Sequence, residues 1–144
     1  MLAINRRHAM TALLVALLAT SCGAAVRGTE PGRLDAVKPG PWGGPHIAMT
    51  VAASGTEIEF DCGKGKVEGA IETDRDGAFT VTGTFQPERP GPSTPNPPAA
   101  RPMRLSGRIQ GDEMQLRIVL SDRDEEIGSF TLAFNTTPRL TKCR

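Results

Sequence analysis

The chain has no tyrosine, a single tryptophan and five phenylalanines among its 144 residues. Aromatic platforms on which bases or sugar rings stack are therefore scarce. Charge of one sign is also missing: the formal net charge is +1 and no block of like charge occurs. A near-neutral chain lacks the basic footprint that nucleic acid requires. Long hydrophobic runs are absent too. The longest, from Ala9 to Ala19, is 11 residues, against the roughly 20 needed to span a hydrocarbon core. No stretch after it has the apolar spacing of an amphipathic helix. Only two histidines are present, His8 and His46, and cysteine occurs three times, at Cys22, Cys62 and Cys143. So few soft ligands argue against a zinc site, and no metal or cofactor is expected. At this length there is room for one domain.

The N-terminus reads as a signal for export. Arg6-Arg7-His8 precede the uncharged run, which ends in Ala19-Thr20-Ser21-Cys22. A basic start, a short apolar stretch and small residues before the cleavage point are the parts of a signal peptide. The small residues before Cys22 resemble the lipobox of bacterial lipoproteins. That resemblance implies cleavage after residue 21, diacylglycerol on the Cys22 thiol, and a home on the bacterial cell membrane or outer membrane, with the domain facing the periplasm or the exterior. The arginine pair leaves the Sec and twin-arginine routes both open. Cleavage removes Arg6 and Arg7, so the mature chain carries 15 basic against 16 acidic residues.

With Cys22 acylated, Cys62 and Cys143 remain. An even remainder in an oxidising compartment predicts a disulfide between them. It would clip the C-terminus onto the strand holding Cys62. A domain of about 100 residues buries only a modest core, so such a staple is useful.

Residues 22–41 are rich in Gly, Ala and Pro without apolar period, and read as a flexible tether. From Trp42 to the end, residues 42–144, apolar residues alternate with polar ones, as in half-buried strands. Ile47/Met49/Val51, Ile58/Phe60/Cys62, Val67/Gly69/Ile71, Phe79/Val81/Gly83/Phe85, Met103/Leu105/Gly107/Ile109, Met114/Leu116/Ile118/Leu120 and Phe130/Leu132/Phe134 form successive sets, and a short end strand is expected near Leu140. Turns are expected at Ser54-Gly55, Asp74–Gly77, Gly111-Asp112 and in the acidic stretch 122–126. Residues 86–102 hold seven prolines and read as one long loop. A weak internal echo pairs a hairpin around 69–81 with another around 107–116, each with an inward glycine. Inward glycines let strands coil tightly. The fold class is therefore all-β: a single small antiparallel up-and-down barrel of about eight strands, with a β-sandwich as the alternative.

Gly40-Pro41-Trp42 before the first strand resembles the Gly-x-Trp start of lipocalin-like (calycin) barrels. The resemblance implies that Trp42 closes one barrel end under a basic residue from the chain's end, Arg139 or Lys142, in a cation–π contact. Trp42-Gly43-Gly44 and Phe60-Asp61-Cys62 are also similar to stretches of small bacterial lipoproteins of uncharacterised function.

Chemistry-bearing groups are sparse. His46 stands without a second ligand and reads as a surface histidine. Asp74-x-Asp76-Gly77 resembles the start of a calcium loop but lacks its later ligands, so a turn explains it. Glu57, Glu59 and Asp61 alternate on one face, which reads as solvated surface. No serine has the flanks of a nucleophile elbow. No catalytic constellation emerges, and the chain is not expected to be an enzyme. The expected function is a monomeric, membrane-anchored, non-catalytic binding module for a protein or a small apolar ligand. Phe79, Val81, Met103 and Leu116 would either line its cavity or fill it. The alternative is an inhibitor of a hydrolase such as a lysozyme or protease, inserting the proline-rich loop.

Overall fold

A computed structural model describes residues 35–91 and 96–143. The export signal, Cys22 and most of the expected tether lie outside the described residues. Ten strands occur in order among the described residues: β1 (Asp35–Ala36), β2 (Gly40–Gly44), β3 (Ile47–Ala52), β4 (Gly55–Phe60), β5 (Gly63–Glu68), β6 (Glu72–Thr73), β7 (Ala78–Pro87), β8 (Arg101–Gln110), β9 (Glu113–Leu120) and β10 (Glu125–Phe134). Eight of them close an antiparallel barrel in the order β2-β3-β4-β5-β7-β8-β9-β10, with β10 returning to β2. The barrel, not the sandwich, is the fold.

Period-two patterning produces this closure. On β3, Ile47, Met49 and Val51 are buried; on β9, Met114, Leu116 and Ile118 are, while Glu113, Gln115 and Arg117 face out. The register stacks Trp42 opposite Met49 and Met49 opposite Ile58, so the inward rows meet around the ring. Met103, Leu105, Met114, Ile118 and Leu132 are fully buried. Two inward glycines make room for this packing. A Cβ on Gly107 would stand 2.5 Å from the Phe79 ring, and one on Gly65 would stand 2.8 Å from the Met103 methyl. The interior is therefore a packed core, as small barrels favour. Phe79, Met103 and Leu116 fill it rather than line a ligand chamber. The outward faces carry Glu57, Glu59, Lys64, Lys66, Arg104 and Arg108. That is the reverse of a membrane-crossing barrel, whose apolar band faces out. No helix among the described residues is long and apolar enough to cross a membrane.

One barrel end, the base, is sealed. β1 pairs with β6, and the Val37 amide donates to the Ile71 carbonyl at 2.8 Å. Val37 and Ile71 are both buried there. Trp42 packs edge-on against Phe134 at 5.2 Å, and its Nε1–H donates to the Lys38 carbonyl at 3.1 Å. The cation that meets this aromatic pair is Lys38, whose Nζ stands 4.0 Å from the Phe134 centroid and 2.9 Å from Asp112. Arg139 sits instead beside the β2–β3 turn, with its backbone bridged to Pro45.

Several sequence expectations are corrected. Residues 35–41 belong to the packed domain rather than to a tether, because Val37 has the base to bury into. The hairpin expected around 69–81 does not form. Gly69 turns away at φ +76° with no neighbour near its Cβ direction, residues 69–77 cross the base, and β5 pairs with the far half of β7, Lys66 opposite Thr84. Burial of Ile71 against Val37 wins over local strand pairing. The loop shrinks to residues 88–100, since β7 runs to Pro87 and β8 starts at Arg101. Pro102 lacks a donor but still accepts from Ser121 at 2.9 Å. Near Leu140 there is only the isolated bridge from Arg139 to Pro45.

Candidate functional site

The end opposite the base, the mouth, gathers the β2–β3 turn, the β4–β5 turn, the proline-rich loop, the β9–β10 turn and the C-terminal tail. Its floor is aromatic. Phe60 lies 5.6 Å from Phe85 and 5.9 Å from Phe130, both tilted onto it. Phe85, Phe130 and Ile127 are only half-buried. They line an open cleft of about 200 Å³ together with Phe60, His46, Asp61 and Cys62. Ile127 stands where the β9–β10 register shifts between Glu126 and Gly128. Such bulges re-aim side chains at barrel rims.

The wall of the cleft is fixed by the tail. Cys62 and Cys143 form the expected disulfide, with Cα atoms 5.3 Å apart. The Cys143 amide donates to the Asp61 carbonyl at 3.2 Å, and the Thr141 amide donates to Asp61 Oδ1 at 2.7 Å. Lys142 Nζ donates to the Phe60 carbonyl at 3.0 Å and stands 2.9 Å from Glu59 and 3.2 Å from Glu88. Two of the three carboxylates that read as solvated surface thus clasp the tail. The tail is what makes the wall rigid. The Thr141 amide, partly offset by desolvation and reinforced by His46, holds the Asp61 carboxyl below its usual range. Glu59 holds the Lys142 ammonium charged above its usual range, again against some desolvation.

His46 completes the rim. It occupies the second place of the two-residue turn Pro45-His46, at φ +66°, a left-handed conformation that favours glycine. Its amide donates to the Arg139 carbonyl at 2.8 Å. Its Nδ1 lies 2.6 Å from Asp61 Oδ2. An ionised carboxylate only accepts, so Nδ1 carries a proton, and in the ring's neutral tautomer Nε2 is then an acceptor. The dyad supplies two members of a nucleophile–base–orienter set; among the described residues no hydroxyl or thiol is bonded to Nε2.

The proline-rich loop roots beside the same cleft. The Glu88 amide donates to the Cys62 carbonyl at 3.0 Å, and Gln86 Nε2 donates to the Pro98 carbonyl. Across the mouth, Arg101 holds Asp122 through two bonds of 2.9 Å and Glu125 at 3.0 Å. Larger hollows over the barrel's outer face are open and mixed in character. One of about 580 Å³ over β7–β10 is lined by Thr80, Ser106, Arg117 and Ser129 together with Phe79, Leu116 and Phe130, and Arg117 is already tied to Glu126 at 2.7 Å. Asp74 of the calcium-like stretch closes its own turn, accepting from the amides of Asp76 and Ala78 at 2.9 and 2.8 Å. No group of three potential metal ligands occurs among the described residues.

The pairing of Cys62 with Cys143 was legible in the sequence, whereas neither Arg139 nor Lys142 meets Trp42 in the way the Gly-x-Trp resemblance had implied. The sequence did not reveal the pairing of His46 with Asp61, 15 residues apart, or the aromatic cleft. A positive-φ turn position filled by histidine instead of glycine is the one signal present in the sequence, in Gly44-Pro45-His46. No protein family, no curated protein and no solved structure matches the chain.

Proposed function

We propose that this chain is a lipoprotein of the bacterial cell envelope, exported on residues 1–21, anchored through lipid on Cys22, and serving as a non-catalytic binding module that engages a protein partner at its mouth. The observation that carries the binding reading is a mouth cleft in which half-buried Phe85, Ile127 and Phe130 surround buried Phe60, on a barrel whose interior is already full. A packed interior leaves no chamber for a drug-sized ligand, which takes about 300 Å³ or more. An apolar notch ringed by polar groups is instead the form of a protein-binding hot spot. The chain joins the barrel at its base through Asp35, so an anchor on Cys22 leaves the mouth as the unencumbered end. The root of the proline-rich loop at this mouth favours one second reading, a hydrolase inhibitor that inserts residues 88–100.

Membrane fractionation tests the anchor: Cys22→Ser releases the chain or leaves it as a precursor, and a membrane-bound Cys22→Ser chain of mature size contradicts it. Capture from solubilised envelope tests the mouth. Ile127→Asp loses the partner while Glu113→Ala at the base keeps it, and equal capture by both sinks the reading. Deletion of residues 88–100 separates the two readings, since only an inserting inhibitor depends on the loop.

A further inference from the structure

We infer that His46 and the aromatic cleft form one peptide subsite, in which the cleft takes a single apolar side chain of the partner and His46 Nε2 accepts the backbone N–H of that same residue. The inference deepens the binding-module reading and rests on it. Three observations support it together. First, His46 sits at φ +66° in a two-residue turn. A glycine there would avoid a left-handed penalty of roughly 1–2 kcal/mol, so turn formation alone gives no reason for an imidazole. Strain of this kind concentrates at functional positions. Second, the ring is oriented. Asp61 fixes Nδ1 as the donor at 2.6 Å, and Asp61 is itself fixed by the Thr141 amide. Third, Nε2 has no partner among the described residues, and the His46 side chain is 64% exposed while lining the cleft.

The occupant follows from size and hydrogen-bonding. The cleft, about 200 Å³, suits a Leu- or Phe-sized side chain. A lipid acyl chain would fill the notch but has no donor for Nε2. An amino-acid residue offers an apolar side chain and an N–H a few ångströms apart.

The test uses the whole chain with Cys22→Ser, labelled with ¹⁵N, titrated with N-acetyl-L-phenylalanine amide and N-acetyl-L-leucine amide. Their N-methylated analogues, which lack the backbone N–H, and decanoate are titrated beside them. Expected are amide shifts confined to the cleft, at His46, Phe60, Asp61, Cys62, Phe85, Ile127 and Phe130, with the N-methylated probes binding roughly two- to tenfold more weakly, the worth of one neutral hydrogen bond. His46→Gly is expected to bind the amides more weakly by the same factor and to be indifferent to N-methylation. No shift at the mouth up to the probes' solubility limit overturns the subsite. So does N-methylation without effect on the parent chain, or decanoate binding that exceeds both amides and ignores His46. Should His46→Gly fail to fold, the N-methyl comparison on the parent chain decides alone. A partner captured at the mouth with no response to these amides would sink the subsite and leave the binding-module reading standing.

Discussion

Replacing Cys143 with Ser removes the staple between two points 81 residues apart. In the chain-entropy description, releasing a loop of that length costs about 4 kcal/mol. The structure adds a local consequence. The β10–β2 seam is closed by only two register pairs, Ala133 with Gly43 and Phe134 with Trp42. The tail reinforces it, through the Asn135 amide on the Pro41 carbonyl at 2.8 Å and the Arg139 amide on the Gly44 carbonyl at 3.0 Å. A domain of this size has about 5–15 kcal/mol in total, so the loss leaves it marginal. The expected fall in melting temperature is roughly 15 °C, at about 4 °C per kcal/mol. Urea unfolding followed by fluorescence of the buried Trp42 measures this, with the Cys22→Ser chain as parent and with reductant as a second route to the same state. Amide exchange should quicken first in β2 and β10. A stability change below about 1 kcal/mol, or exchange that quickens uniformly, would refute the seam argument.

Three further outcomes are expected. The Asp61 carboxyl titrates below its unfolded value, so its contribution is present above the unfolded carboxylate pKa, near 4, and is lost as pH falls through the lower folded value. Asp61→Asn should therefore flatten the acid side of the stability–pH curve below about pH 4, as read by urea midpoints, and an unchanged slope contradicts the clasp. Thr56 is buried, and its Oγ1 finds no partner among the described residues. Thr56→Val should raise stability by about 1 kcal/mol, and a loss in the same urea assay would show that the hydroxyl is bonded. Gly107→Ala places a methyl 2.5 Å from the Phe79 ring and 2.7 Å from the Gln115 carbonyl. It should cost about 1–3 kcal/mol, and a neutral result in thermal melts would mean that the inward face there is slack.

The barrel staves were legible wherever burial is one-sided and local. Ile47/Met49/Val51 and Met114/Leu116/Ile118 alternate because one face meets the core and the other meets water, and that alternation needs no knowledge of the partner strand. The base was not legible. Val37 and Ile71 are single apolar residues among Gly, Pro and charged neighbours, and each becomes meaningful only when β1 meets β6 from 38 residues away, Asp35 opposite Thr73. The mouth was hidden for the same reason. Glu59 and Asp61 follow a solvated pattern, and their work on Lys142 and Thr141 is done across some 80 residues of chain. The cysteine count did bridge that distance, because Cys62 and Cys143 could be paired by arithmetic. Strand ends at Pro87 and Pro102 ran past the point where proline suggested a stop, since each lies at the end of a strand held by its neighbours.

Photo-crosslinking in intact cells decides whether the mouth is the working end of an anchored module. A benzophenone amino acid is placed at Ile127 in the cleft and, separately, at Glu113 on the base. A discrete protein adduct is expected from position 127, diminished by His46→Gly, and none from position 113. An adduct formed equally from both positions, or only with lipid, would contradict that role for the mouth.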